Sequence, residues 1–471
     1  MLKKIPVSLQ QNLLYAFGLV VMKGVSFFML PVVAHMLSPE DFGRVEVLNS
    51  LGALGAILVG FGLLNTLFRF AGEKVQVEEK HAMVAEVVGI NLAIGALTLV
   101  IGLAMATQLE KFLPGQLGTY NISLAIGMIA LEGCIAIPLG WLRMNDRAGL
   151  FVLLNSGKAI LQAGLVIVLL DMGRGVQGVM EAGLISAIAL ATALLVLQIR
   201  ETGVRLVSGR SRELLVYSFP LVGSGLLGFI LTGLDRWLLA DAVGAAEMAQ
   251  YAVAAKFSLI AALLLQPFLM WWSPRRFQVL EEDNGRTQAA NYAALGSGLS
   301  LLIAVSIGLA APLFIELLLP PEYWSASQFV PWLVLIVAVK DSAELLNIGC
   351  YTGKTTNAQF LVNLGGSLAG LFGMLLLIPT LGIWGAIFAL LTAQLIRLAL
   401  YISISQRLLP LPYPAIRLMA LAALTLIMLT LGNEISGLVA RITLLLAGSG
   451  LMLAALFTLR LFPHQSSSRG A

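Results

Sequence analysis

The chain has 471 residues, of which 59% are hydrophobic and only 11% charged, with a formal net charge of +4. An ordinary soluble domain carries roughly 25% charged residues, so a water-soluble globular protein is excluded. The basic residues are spread one loop at a time and form no patch, which removes nucleic acid from the partners to consider. The two cysteines, Cys134 and Cys350, fall inside or at the edge of apolar runs and read as small buried hydrophobes, with no disulfide framework.

The composition points to an all-α polytopic membrane protein. Windows of about twenty residues place spans at 12–36, 45–69, 83–106, 119–140, 149–170 and 178–198 in the first part of the chain. After a basic connector they continue at 216–240, 250–272, 289–311, 325–350, 358–378, 383–404, 415–432 and 438–460, about fourteen in all. The N-terminal apolar stretch is too long for a signal peptide and has no small-residue cleavage site, so it is read as the first permanent span.

Numbering the connectors alternately, one set holds nineteen basic residues, including Lys3, Lys4, Arg200, Arg275, Arg276 and Arg407, and the other only Arg44, Lys111, Arg174 and Arg441. Positive loops stay in the cytoplasm, which puts both termini there and requires an even span count. The longest connector, residues 199–215, carries four arginines and divides the chain. Two echoes cross it in the same order: YAFGLV at Tyr15 with YSFPLV at Tyr217, and MLSPEDFGRVEV at Met36 with AVGAAEMAQYAV at Ala242. A duplicated six-helix unit accounts for both, as in transporters built from parallel repeats. The expected organisation is a lobe at 1–198, the connector at 199–215, a second lobe at 216–404, and helices thirteen and fourteen with the tail at 405–471.

Enzymatic chemistry on a lipid carrier needs a catalytic loop outside the membrane, and no connector is long enough to form one. The three histidines, His35, His81 and His464, are scattered and give no zinc, triad or relay spacing, so no metal site is expected. A phosphate-binding P-loop is absent too, so the chain does not hydrolyse ATP, and no cofactor is expected. Transport by conformational change remains.

Lys23-Gly24, the hairpin LPVVAHMLSPEDFGRVEVLNSL and the stretch LTGLDRWLLADAVGAAEMAQYAVAAKF, with its Asp235-Arg236 pair, resemble the polysaccharide flippases of the multidrug/oligosaccharidyl-lipid/polysaccharide exporter superfamily. The resemblance covers the first twelve spans. It implies two six-helix lobes in a V shape, and translocation of undecaprenyl-pyrophosphate-linked oligosaccharides across the bacterial inner membrane for O-antigen, capsule or exopolysaccharide assembly. Polysaccharide polymerase and glycosyltransferases would be the protein partners, beside the membrane lipids. Many members stop at twelve spans, whereas the related lipid II flippases have fourteen, so a lipid II flippase stays open as an alternative, as does a cation-coupled multidrug antiporter.

A charge at mid-bilayer costs a few kcal/mol even on lenient scales, so each needs a partner, a wet cavity or a function. Lys23 lies near the middle of the first span with no acid one turn away; it either contacts an anion in a cavity or pairs with an acid of another helix. Arg236 and Lys256 fall in the outer thirds of neighbouring spans, and Asp235 need not neutralise Arg236 because adjacent helical residues do not share a face. For a flippase of this kind the three cations Lys23, Arg236 and Lys256 would bind the pyrophosphate, lowering the Coulomb and desolvation cost of its crossing. Lys340 and Glu344 have the spacing of an internal pair, Asp341 points elsewhere, either Asp341 or Glu344 is a candidate for coupling to a proton or sodium gradient, and Glu132 with Lys158 reads as an interhelical ion pair. Glu46 and Glu86 lie closer to the interfaces, within reach of water, and Arg397 has the alternative of snorkelling.

Overall fold

The computed structural model describes residues 7–72, 76–206, 210–352, 357–459 and 461; the side chains of residues 7–13, 15–17, 19–20 and 23 are not among those described. Every regular element in the described residues is helical. Among the described residues twelve helical stretches are long and apolar enough to cross a membrane, thirteen with one bent pair, and α1 (Val7–Met36) coincides with the first predicted span. In lipid a helix is the natural solution for such runs, because it satisfies every backbone polar group within the segment.

The first compact unit is Met1–Ala249 and the second Gln250–Ala471, so the connector at 199–215 falls inside the first unit. The first contains α1, α2 (Pro39–Gly60), α3 (Leu63–Gly72), α4 (Val77–Phe112), α5 (Thr119–Met144), α6 (Ala148–Asp171), α7 (Gly175–Glu201), α8 (Ser211–Ile230) and α9 (Leu234–Val243). Helix α2 starts where its sequence says it should. Ser38 caps it by accepting from the Asp41 amide at 3.2 Å, Pro39 occupies the first turn, and Glu40 and Asp41 face the positive end of the helix. Arg44 pairs with both acids and donates to the Gly115 carbonyl at 3.0 Å, which fastens this turn to the one between α4 and α5.

The predicted second span is broken. Phe61 and Gly62 both adopt positive φ, 46° and 67°, and end α2 in a left-handed turn before α3 begins. The predicted seventh span is likewise interrupted, between Ile230 and Leu234. Polar contacts join the two broken spans across the unit. Ser50 donates to the Gly233 carbonyl at 2.7 Å, Thr66 and Ser218 hydroxyls meet at 2.6 Å, and the Trp237 indole donates to the Val47 carbonyl at 3.3 Å. Those contacts place α8 and α9 in the first unit.

Helix α10 (Ala245–Leu280) begins in the first unit and runs into the second. Its first residue sets a stringent packing demand: a Cβ at Gly43 would sit 2.0 Å from the Ala245 carbonyl oxygen, and backbone cannot yield as a flexible side chain can. Gly43→Ala is therefore expected to destabilise the first unit by several kcal/mol-scale strain, read as a lower thermal midpoint of the purified protein, whereas Gly52→Ala, with nothing within 4 Å, leaves it unchanged.

The second unit continues with α11 (Gly285–Leu318), α12 (Val330–Leu345), α13 (Asn357–Leu381), α14 (Ile383–Leu408), α15 (Ala415–Glu434) and α16 (Leu438–Thr458). The predicted tenth span is bent by 44° between a short 3-10 helix, Pro321–Gln328, and α12, with Pro331 in the first turn of α12. Helices α15 and α16 bury one stripe each, Leu421, Thr425 and Leu429 on one and Gly448, Met452 and Leu456 on the other, and both pack on α11. The four-residue spacing of those stripes is that of a single helical face. Much of the rest of their surface is apolar and exposed, as suits contact with lipid.

Candidate cargo and coupling sites

In the first unit Arg236 is the centre of a buried charge cluster. Its Nη1 lies 3.2 Å from Asp235 Oδ1 and donates to the Thr232 carbonyl at 2.9 Å, and its Nε is 3.8 Å from Glu46 Oε2 on α2. Glu46 and Asp235 are only 5% and 3% exposed, which makes their pairing energetically decisive. Asn49 donates to the other Glu46 oxygen at 3.3 Å. Two sequence expectations are corrected here. Asp235 does meet Arg236, because both stand in the first turn of α9, where the arginine folds back over the chain break and the face rule for a continuous helix no longer applies. Glu46 does not reach water, because α9 covers it.

Lys23 stands on α1, but its side chain is outside the described residues. Lys256 belongs to the second unit, is half-buried on α10 and is engaged in a polar or electrostatic interaction. Glu132 on α5 and Lys158 on α6 are half-buried, and each feels the other's charge across the two helices.

In the second unit Lys340 and Glu344 form the expected pair at 3.8 Å, about 40% exposed on each side. Asp341 turns the other way. It is 3% exposed and accepts from the Ser300 hydroxyl of α11 at 2.9 Å. Arg397 on α14 does not snorkel: it is buried, donating to Gln394 Oε1 at 2.7 Å and to Asn363 Oδ1 of α13 at 2.8 Å. The Tyr401 hydroxyl donates to the same Asn363 oxygen at 3.0 Å.

Arg397 lines a polar cavity of about 330 Å³ together with Trp272, Arg276, Glu344, Asn347 and Tyr351. The Arg276 guanidinium lies 4.4 Å from the centre of the Tyr351 ring. Arg276 reads in the sequence as a loop cation beyond the span at 250–272, yet α10 continues through Pro274 to Leu280 and brings Arg276 one turn beyond Trp272. Among the described residues no group of three or more His, Cys, Asp or Glu is placed to hold a metal ion.

The sequence model described as polysaccharide biosynthesis protein matches residues 8–280, more than half of the chain. The chain belongs to this family. As a polysaccharide biosynthesis protein it is similar to the succinoglycan biosynthesis transport protein ExoT of Rhizobium meliloti (strain 1021), 26% identical over 272 residues, which are 56% of this chain and 53% of that protein. The chain thus spans about half the length of the curated relative it matches. Its fold is similar to that of the lipid II flippase MurJ in an inward closed conformation, with a TM-score of 0.73 at 13% identity, over 97% of this chain and 99% of that one. An inward-facing multidrug resistance MATE family transporter of the MOP superfamily matches with a TM-score of 0.56 at 14% identity, over 87% and 95% of the two chains. The family member is therefore a multi-pass membrane protein with the fold of MOP-superfamily transporters.

Proposed function

We propose that this protein is a flippase that moves undecaprenyl-pyrophosphate-linked oligosaccharide repeat units across the bacterial inner membrane by alternating access, for exopolysaccharide or a related surface polymer. The observation that carries the reading is the family match over residues 8–280, the stretch that contains Lys23, Arg236 and Lys256. The succinoglycan transport relative supports an exopolysaccharide pathway. Both termini lie in the cytoplasm in this reading, following the basic loops. Cations inside apolar spans lower the cost of carrying a pyrophosphate through a low-dielectric slab, while the polyprenyl tail stays in lipid.

Lys23 and Lys256 are the groups assigned to the pyrophosphate, with Arg236 holding the surrounding cluster in place as well. Loss of one charged hydrogen bond costs roughly 1.5–3 kcal/mol, enough for about tenfold or more in transport. Lys256→Ala and Lys23→Ala should reach the membrane at normal levels yet export polymer poorly in a flippase-deficient strain, and the arginine replacements should keep part of the activity. Full export by both alanine variants, normalised to membrane protein, would overturn the assignment.

A second reading, transport of lipid II itself, is favoured by the near-complete fold match to a lipid II flippase, which extends over the added pair α15 and α16. Rescue of a strain depleted of its lipid II flippase would select it. Rescue of polymer export alone selects the first.

A further inference from the structure

The cavity of the second unit contains groups that its own walls leave unsatisfied. Trp272 Nε1, Arg276 Nε, Asn347 Oδ1 and Arg397 Nε are buried without a hydrogen-bond partner, and all four residues line this one chamber. A buried polar atom left alone costs about 1–3 kcal/mol, so four in one wall mark this lining as strongly polar and under-satisfied. Three of the four are N–H donors, and two of those belong to guanidinium groups that stay charged at any working pH.

The charge around the space is as uneven as its donors. Arg397 is bonded to the amide oxygens of Gln394 and Asn363, which orient it without neutralising it. Glu344 is the carboxylate in the lining, and Lys340 is already its partner. The Trp272 and Tyr401 rings are fully buried side chains and fix the walls from α10 and α14.

We propose that this cavity is an anion site for a phosphoryl group, held by the guanidinium groups of Arg276 and Arg397, with the Trp272 indole in the wall beside them. A tetrahedral anion offers acceptors in several directions and suits donors that come from two different helices, α10 and α14. The chamber, about 330 Å³, has room for roughly ten waters at ~30 Å³ each, so it also holds a phosphate ester or a pyrophosphate. The site rests on the cavity alone and stands whether or not the chain flips a lipid-linked sugar. Its phosphoryl group has two sources, a soluble phosphate or the head of a polyprenyl pyrophosphate.

The full chain, purified and placed in nanodiscs of zwitterionic phosphatidylcholine, is titrated with inorganic phosphate and pyrophosphate against chloride at constant ionic strength. Tryptophan fluorescence is followed, with Trp272→Phe identifying the signal of that indole. A saturable change with pyrophosphate or phosphate, absent in Trp272→Phe and shifted at least tenfold to higher concentration in Arg276→Gln, supports the site and a soluble source. A response only when undecaprenyl pyrophosphate is in the disc, with the same dependence on Arg276, supports the site and assigns it to the lipid head. If Arg276→Gln fails to fold, Arg276→Lys, which keeps the charge and loses the guanidinium fork, should show the same tenfold shift. No saturable response in any arm, or one unchanged in the Arg276 variants, leaves the cavity to water and overturns the proposal.

Discussion

Arg236→Met should lower the amount of folded protein in the membrane and abolish export with it, a larger effect than any other single charge removal in the first unit. The guanidinium lies against Asp235 and Glu46, both almost fully buried, and its removal takes a positive charge from two carboxylates in a low-dielectric interior. Breaking a buried ion pair from one side typically costs about 3–5 kcal/mol, because the remaining charge is uncompensated. Lysine at 236 should recover part of the loss, since it restores charge without the planar fork that reaches Asp235, Glu46 and the Thr232 carbonyl together. A second change, Glu46→Gln, made in the Arg236→Met background should raise the protein level again, because it removes one of the stranded charges. Membrane abundance and the thermal midpoint in detergent measure this directly. Normal abundance and full export in Arg236→Met would show a cation at an interface with water, and the cluster would lose its structural role.

Asp341→Asn should leave the fold intact and remove the response of transport to an imposed ion gradient. The amide keeps an oxygen for the Ser300 hydroxyl, so the contact between α12 and α11 survives the change. What is lost is the capacity to alternate between charged and neutral forms, or to hold a cation, inside the membrane. Glu344→Gln is the matched control. Its carboxylate is about 40% exposed and paired with Lys340 on the same helix, a geometry worth under ~1 kcal/mol, so its removal should change neither stability nor gradient dependence much. Vesicles loaded with labelled cargo, with and without a proton or sodium gradient, read the difference. A tenfold or greater loss of gradient-driven rate in Asp341→Asn alone supports Asp341 as the coupling acid. Equal gradient dependence in the wild type and Asp341→Asn eliminates it.

The apolar runs were legible because a helix that crosses lipid must be nearly continuous in hydrophobicity, and the Lys340–Glu344 pair was legible because helical spacing brings those residues together. The breaks at Phe61-Gly62 and between Ile230 and Leu234 were not, since a twenty-residue average passes over a two- or three-residue interruption. Glu46 and Arg236 belong to helices far apart in the chain, and nothing in either local sequence names the other as its partner. Arg276 was hidden differently. The predicted span ends at 272, but in a membrane helix neighbouring groups compensate the missing donor of Pro274 and the helix runs on. Arg397 was visible as an intramembrane charge; its amide partners Asn363 and Gln394 were visible as polar residues, and only packing joined them.

The Glu46–Arg236 contact also bears on how the chain is made. Glu46 leaves the ribosome about 190 residues before Arg236, an interval on the order of ten seconds at roughly 5–20 residues per second. A carboxylic acid that enters lipid early can take up a proton and wait as a neutral group, whereas a guanidinium cannot shed its own. The acid comes first and the arginine second, so α9 brings its cation into the bilayer when a carboxyl partner is already there. Arg397 follows the same order, since Asn363 and Gln394 are both synthesised before it. In each unit the group that cannot be neutralised is inserted after the oxygens that receive it.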